Sequence, residues 1–249
     1  AGDADSATLV FTIAVRVEGE HESAQEYVLP HGARLKDLLA QVSYSERSDT
    51  ANLQLYRQSV KDRQRRMLAT ALASLEASVL TARSGTSDEA RLRKEEAELV
   101  LQWIDRARAI EPRGQVLVAL AGDKGELPLE NGDILRVPTK DGLVLVNGEV
   151  LFPNAIAYES GLTLADYIAR SGGYTQNADA SRIVVAHRDG SFGEAVVEKN
   201  WFKRSPPPRA EIRPGDEVLV LPRVDVKSRQ IAKDLTQILY QVAISARVV

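Results

Sequence analysis

The stretch GLVLVNGEVLFPNAIAYESGLTLADYIARSGG, residues 142–173, decides how this chain is read. Leu143 to Val146 is an apolar run of strand character. Asn147-Gly148 comes next, a residue pair that favours a type I′ hairpin turn. The spacing predicts a returning strand over Glu149–Phe152, ended by Pro153, and a further extended piece over Ala155–Glu159. Thr163 then opens a short helix with Leu164, Tyr167 and Ile168 on one face. Ser171-Gly172-Gly173 ends it, because glycine accepts the left-handed conformation of a helix C-terminus.

A weaker copy of this plan lies earlier. PHGARLKDLLAQV (30–42) repeats the helical half, ESGLTLADYIARS (159–171), with Leu35, Leu38, Leu39 and Val42 at i, i+3, i+4 and i+7. LENGDILRVPTK (129–140) repeats IRPGDEVLVLPRVD (212–225): a Gly-Asp turn, then an apolar strand closed by proline. Strands over 8–18, 26–29 and 115–120 accompany the first copy, and strands over 182–187, 194–197 and 217–222 the second. A lone hairpin cannot bury its apolar face, so the helix of each copy must cross a small mixed sheet. The expected class is α+β: two β-grasp modules, the first interrupted by a long antiparallel helical hairpin, plus a C-terminal amphipathic helix. The expected divisions are 1–48 with 114–141, 49–113, 142–224 and 225–249.

The insert has a different composition. From Asp49 to Arg83 there is no Gly or Pro, and Ala, Leu, Arg, Gln and Glu favour a helix. Leu53, Tyr56, Val60, Met67, Leu68, Ala71, Leu72, Leu75 and Val79 recur along it. Thr86 and Glu89 form a capping-box pattern before a second helix to about Ile110. At 1.5 Å per residue the two helices are about 50 Å and about 35 Å long, so the pair is expected to project from a small β module. Residues 49–113 hold 12 Lys/Arg and 10 Asp/Glu, a balance that suits a solvated, ion-paired surface. The cluster Lys61, Arg63, Arg65, Arg66 departs from it, and Arg63 and Arg66 are candidates for contact with an acidic glycan or partner.

Chemistry is sparse. With 44% hydrophobic and 27% charged residues the chain is an ordinary globular one, and a net charge of −3 gives no footprint for nucleic acid. The absence of Cys excludes disulfides, thiolate metal sites and Cys nucleophiles. No apolar run approaches the roughly 18–20 residues of a membrane-spanning helix. The polar start, Ala1 to Asp5, has no signal-peptide pattern, as a mature or trimmed chain would also show. His21, His31 and His187 lack metal-ligand spacing. Asp133 and Asp216 come after glycines in turns, where an Asp side chain stabilises the turn itself. No nucleophile motif, P-loop or dinucleotide fingerprint is present, so neither an enzyme nor a cofactor is expected. Tyr174 and Asn177, with Trp201, offer the aromatic and amide groups that suit a sugar. In the tail, Ile231, Leu235, Ile238 and Val242 form an apolar stripe. It suits a membrane or oligomer contact, or docking on a β-grasp module, its own or a neighbour's.

The second copy resembles a known family. V-x-G-x-V-x-x-P (Val146–Pro153), L-x-D-x-I-x-x-S-G-G (Leu164–Gly173) and P-G-D-x-V-x-V (Pro214–Val220) match the SLBB (soluble-ligand-binding β-grasp) domain of outer-membrane polysaccharide export proteins. The helical insert and the tail resemble the capsule branch, the polysialic-acid-type exporters. That resemblance implies a non-enzymatic, periplasmic part of capsule or exopolysaccharide export. The partners it implies are a polysaccharide, further copies of the chain, other export proteins and the outer membrane. The family's export domain and lipidated Cys are absent, so the chain looks like the C-terminal part of a larger exporter. A stand-alone capsule-assembly protein of the group 4 type and a generic glycan-binding module are the alternatives.

Overall fold

The structure is a computed structural model that describes residues 11–81, 87–118, 124–196 and 210–223. The chain divides into two compact units, Ala1–Gln58 with Gln115–Lys140, and Ser59–Gly114 with Asp141–Val249. The architecture is α+β, with four α-helices and two mixed five-stranded sheets among the described residues.

The first sheet is built from Thr12–Gly19 (β1), Glu26–Pro30 (β2), Gln54–Tyr56 (β3), Gln115–Val116 (β4) and Ile134–Val137 (β5), in the order β2-β1-β5-β3-β4. Only the β1–β5 pair is parallel among them. Leu35–Leu39 (α1) crosses one face and buries Leu35 and Leu38 against Val15, Val17, Leu55, Leu135 and Val137. The alternation along β1 decides which face this is: Ile13, Val15 and Val17 point inward, Thr12, Ala14 and Arg16 outward.

The second sheet repeats this plan. Leu143–Gly148 (β6), Asn154–Ala157 (β7), Ala178–Ala186 (β8), Phe192–Val196 (β9) and Glu217–Pro222 (β10) run in the order β7-β6-β10-β8-β9, with β6–β10 parallel. Reading β6 as β1, β7 as β2, β10 as β5, β8 as β3 and β9 as β4 makes the two topologies identical. Leu164–Arg170 (α4) packs Leu164, Tyr167 and Ile168 on Val144, Val146, Ile183, Val185, Val218 and Val220. Its first turn is held by a reciprocal cap. Thr163 N donates to Asp166 Oδ2 at 2.8 Å, and Asp166 N to Thr163 Oγ1 at 3.3 Å. The Tyr167 hydroxyl accepts from Glu159 N at 3.0 Å, which satisfies the polar end of a fully buried ring.

The structure corrects the sequence reading at two places. Asn147-Gly148 does not make a two-residue hairpin: β6 ends there, residues 149–153 form a connection, and the returning strand is β7, Asn154–Ala157. Gly148 is needed for another reason. Its φ is +85°, and a Cβ there would lie 2.2 Å from the Val220 carbonyl oxygen. Gly19 stands in the same relation to Val137, with φ +97° and the same 2.2 Å. The second correction concerns Asp49–Arg57. The predicted helix does not start at Asp49: Thr50–Asn52 is a 3-10 turn, Gln54–Tyr56 is β3, and the helix begins at Gln58. Burial of Leu55 in the first core outweighs the helical propensity of the surrounding residues.

Gln58–Thr81 (α2) and Ser87–Arg108 (α3) share a core of their own: Leu68, Leu72, Leu75 and Val79 with Val100, Ile104 and Ala107. Met67, placed on the apolar face by spacing, is exposed. Lys61 and Arg65 reach Glu111 at 3.3 and 3.4 Å, and Arg108 pairs with Glu76. This segment departs from the tip of a β-hairpin, since Tyr56 of β3 lies opposite Gln115 of β4. In the second sheet the same tip is a short turn, His187–Ser191.

Two glycine substitutions test this account. Gly132→Ala keeps φ at +84° but meets nothing within 4 Å, so it is expected to cost about 1–2 kcal/mol of backbone strain. Gly148→Ala adds the collision with Val220 and is expected to lower the melting temperature by at least about twice as much. Equal shifts would show that the contact with β10 is not what the glycine serves.

Candidate functional site

Two groupings of side chains stand out, one polar and structural, the other largely apolar and facing solvent. The first surrounds the Gly-Asp turns. Asp133 and Asp216 are each 1% exposed. Asp133 Oδ2 accepts from Glu130 N at 2.8 Å, and Asp216 Oδ2 from Arg213 N at 2.6 Å, so both carboxylates close their own turns. Each also holds a basic side chain. Arg57 is bidentate on Asp133, with Nε to Oδ1 at 2.9 Å and Nη2 to Oδ2 at 2.7 Å, and it also donates to the Pro128 carbonyl. His187 places Nδ1 2.9 Å from Asp216 Oδ2. Arg57 comes directly after β3 as His187 comes after β8, because Tyr56 pairs with Ile134 and Ala186 with Glu217. The two bases therefore occupy one position of the repeat. Sequence reading missed the pairing because Arg57 was placed in a helix and His187 was taken singly.

The His187 end of the second unit is rich in charge. Arg213 pairs with Glu211 at 3.1 Å and lies 3.7 Å from Asp189, and Arg188 pairs with Asp141 at 2.7 Å. Burial pushes the Asp189 carboxyl up, but hydrogen bonds from Ser191 Oγ at 2.5 Å and Ser191 N at 2.8 Å, with His187 and Arg213 nearby, hold it below the ordinary carboxylate range. Ser191 Oγ is thus engaged with a carboxylate that serves the turn. Among the described residues, no group of three His, Asp or Glu side chains is arranged to hold a metal ion.

The solvent-facing grouping lies where the β6–β7 connection runs along the end of α4. Gly172 and Gly173 have φ of +83° and +81° and close the helix through Gly173 N to Ile168 O at 3.0 Å. Phe152 N then donates to Ser171 O at 2.9 Å, Leu151 N to Gly173 O at 3.1 Å, and Thr175 N to Glu149 O at 3.1 Å. Thr175 Oγ1 adds a bond to Glu149 Oε2 at 2.5 Å. The Phe152 ring lies directly over Gly172, where a Cβ would be 2.6 Å from Cδ2. Phe152 is 69% exposed, Leu151 54% and Tyr174 37%, which makes an apolar surface at the helix end. Partial burial pushes the Tyr174 phenol above its ordinary value, so it stays a neutral donor at physiological pH. Asn177 is exposed, and its carbonyl accepts from Arg223 N at 2.6 Å.

The structure places the sequence-predicted site residues in three groups. Tyr174 and Asn177 share the loop between α4 and β8. Arg63 and Arg66 are exposed on α2, and among the described residues neither has an ion-pair partner. Trp201 and the tail residues Ile231, Leu235, Ile238 and Val242 lie outside the described residues. Leu151 and Phe152 were not singled out, because the Asn-Gly signal put them inside a strand. Pro153, directly after them, was the sign that the strand was misplaced.

Two measurements check these contacts. Arg57→Met leaves the buried Asp133 carboxylate without its guanidinium and is expected to cost about 3–5 kcal/mol in denaturant unfolding. For Asp189 the folded value is the depressed one. Its stabilising contribution is therefore present above the unfolded value of about 3.9 and is lost as pH falls through the folded value. Ser191→Ala removes the strongest hydrogen bond that lowers it. The Asp189 titration followed by NMR is expected to move up, and the acid-side fall in melting temperature to begin at higher pH.

Known proteins agree with the pattern of the second sheet. The family model of the SLBB domain matches residues 143–196, from β6 through β9. Two curated relatives from Escherichia coli, both named polysialic acid transport protein KpsD, are 38% identical to this chain over 238 residues, 96% of its length. The chain spans 40% of the length of these relatives. Among the described residues, no helix is long and apolar enough to cross a membrane. Residues 143–196 thus match the SLBB domain, and the chain as a whole is similar to these polysialic acid transport proteins.

Proposed function

We propose that this chain is the C-terminal SLBB part of a larger exporter and works in the periplasm, at the outer membrane, as a non-enzymatic component of capsular polysaccharide export. The observation that carries this reading is the reach of the similarity to the polysialic acid transport proteins. At 38% identity it extends over 96% of the chain, so it takes in both sheets and the helical insert, well beyond the SLBB match at 143–196. The organisation proposed is two β-grasp modules, an antiparallel helical hairpin between β3 and β4, and a tail helix, in an assembly of several copies with other export proteins.

Within it, the surface of Phe152, Tyr174 and Asn177 supports a role in contacting the polysaccharide. Aromatic faces suit the C–H face of a sugar ring, and the amide and phenol suit its hydroxyls. Trp201 is a further candidate by sequence. Arg63 and Arg66 would serve an acidic glycan, because exposed guanidinium groups match carboxylates in charge and geometry.

Titration of the chain with oligosialic acid and with a neutral oligosaccharide, followed by NMR, tests the glycan contact. Shifts are expected at Tyr174 and Asn177. Tyr174→Ala is expected to weaken binding about threefold to tenfold. The export role is tested by deleting residues 143–196 in the parent exporter and staining the cell surface for capsule. Loss of surface polysaccharide with normal synthesis is expected; undiminished capsule would overturn the reading.

A further inference from the structure

The edge strands β2 and β7 occupy one position of the repeat and differ in chemistry. In an antiparallel pair, the backbone groups of alternate residues point toward the neighbour and away from it. Tyr158 N donates to Gly142 O at 2.6 Å, and Leu145 N turns away from β7 to Asp216 O. Leu143 lies opposite Ala157 and Leu145 opposite Ala155, so the backbone groups of Ala155 and Ala157 point outward from the sheet edge. The same alternation, fixed by His31 N on Phe11 O and Val17 N on Gln25 O, makes Glu26, Val28 and Pro30 the outward residues of β2. Glu26 matches Ala155, because their partners Arg16 and Leu145 both donate to the Asp of a Gly-Asp turn. Val28 matches Ala157.

β2 is guarded in the way edge strands commonly are. Glu26 carries an exposed carboxylate 3.7 Å from Arg16, and Pro30 has no N–H to offer. β7, Asn-Ala-Ile-Ala, carries no charge, and both Ala155 and Ala157 are exposed. On the neighbouring strand Leu143 and Leu145 are 41% and 37% exposed. Pro153 precedes the open stretch, and beyond it Glu159 N is taken by the Tyr167 hydroxyl at 3.0 Å. Ala155 N donates to the preceding side chain, Asn154 Oδ1, at 2.8 Å. The Ala157 N–H and the Ala155 and Ala157 carbonyls have no partner among the described residues.

We propose that β7 is a self-pairing edge, through which two copies of this chain join antiparallel about a two-fold axis at Ile156, each Ala155 opposite the partner's Ala157. The outward groups are disposed symmetrically about Ile156, so one register serves both copies, as an isologous contact requires. Each Ala157 N–H meets the Ala155 carbonyl opposite without disturbing anything. Two further bonds, from each Ala155 N–H, form when Asn154 releases it. In the same register β2 would set two Glu26 carboxylates diagonally across the seam, where β7 sets alanines. The uncharged edge is thus self-complementary, and the charged one is not. This assignment gives a surface to the several-copy assembly proposed above. It is independent of what the chain exports, since self-association is measured with neither glycan nor export partners.

Sedimentation equilibrium of the full chain from about 20 µM to about 1 mM covers the affinity of a contact made by a few backbone hydrogen bonds. The mass is expected to rise toward that of a dimer. The Ala157 amide resonance is expected to shift with concentration while that of Val28 stays in place. Ala157→Pro removes the outward N–H and leaves the bonds to β6 intact, because Ala157 does not donate to that strand. Ala155→Lys places a charge on the seam. Each variant is expected to weaken association at least about tenfold, and an unchanged near-UV circular dichroism shows that it folds. A mass that stays that of one chain up to about 1 mM would overturn the proposal. So would association that Ala155→Lys and Ala157→Pro both leave unchanged, which would give the self-contact to another surface.

Discussion

Each sheet is organised around a buried aspartate at the start of its central strand. Asp133 and Asp216 close a turn with their carboxylates, and with their backbone carbonyls they accept from Arg16 N and Leu145 N on the parallel neighbour, both at 2.9 Å. A parallel pair cannot be joined by a tight turn, so its register must be fixed by contacts distant in sequence. Here Asp fixes one end of the pairing and a glycine the other. The Val137 and Val220 carbonyls accept from Glu20 N and Glu149 N just beyond Gly19 and Gly148. The core residues of both faces depend on that register, because a slip by one residue would turn Val15, Val17, Val144 and Val146 to the outside.

A buried carboxylate needs a partner, and the two modules satisfy that need differently. Arg57 gives Asp133 a permanent charge and two hydrogen bonds, with a third to Pro128. His187 offers Asp216 one ring nitrogen and sits among Asp189, Glu211 and Arg213. The shared geometry is the turn, and the base at the end of the third strand adapts to it. Beyond that point the copies diverge: the first opens its β3–β4 tip into the α2–α3 pair, and the second keeps a short turn. An insertion is tolerated there because the chain leaves and re-enters at adjacent points and the helices bring their own core.

The same divergence separates scaffold from surface. In the second module the connection after Gly148 is zipped onto the end of α4, and Gly172 has no side chain so that Phe152 can lie over it. That arrangement brings Leu151, Phe152 and Tyr174 to one exposed place, although Phe152 and Tyr174 lie 22 positions apart in the chain. Exposed aromatics on a surface otherwise held by backbone bonds are suited to contact rather than to stability.

The periodic parts of the molecule are legible in the sequence. The repeat, both short helices with Leu35, Leu38, Leu164, Tyr167 and Ile168 inward, the Gly-Asp turns and the glycine helix end all arise from local patterns. So does the SLBB resemblance, which is a pattern of the same local signals. Features that depend on distant partners were settled by the tertiary fold. Gln54–Tyr56 became a strand because the first sheet lacked a third one and Leu55 could fill its core, which no propensity inside Asp49–Arg57 expresses. Glu149–Phe152 lost its strand character because Gly148 serves a close approach to Val220, a residue 72 positions away. The pairing of Arg57 with Asp133 and His187 with Asp216 was hidden for the same reason. A register between strands sets which side chains meet, and register is a property of the folded sheet.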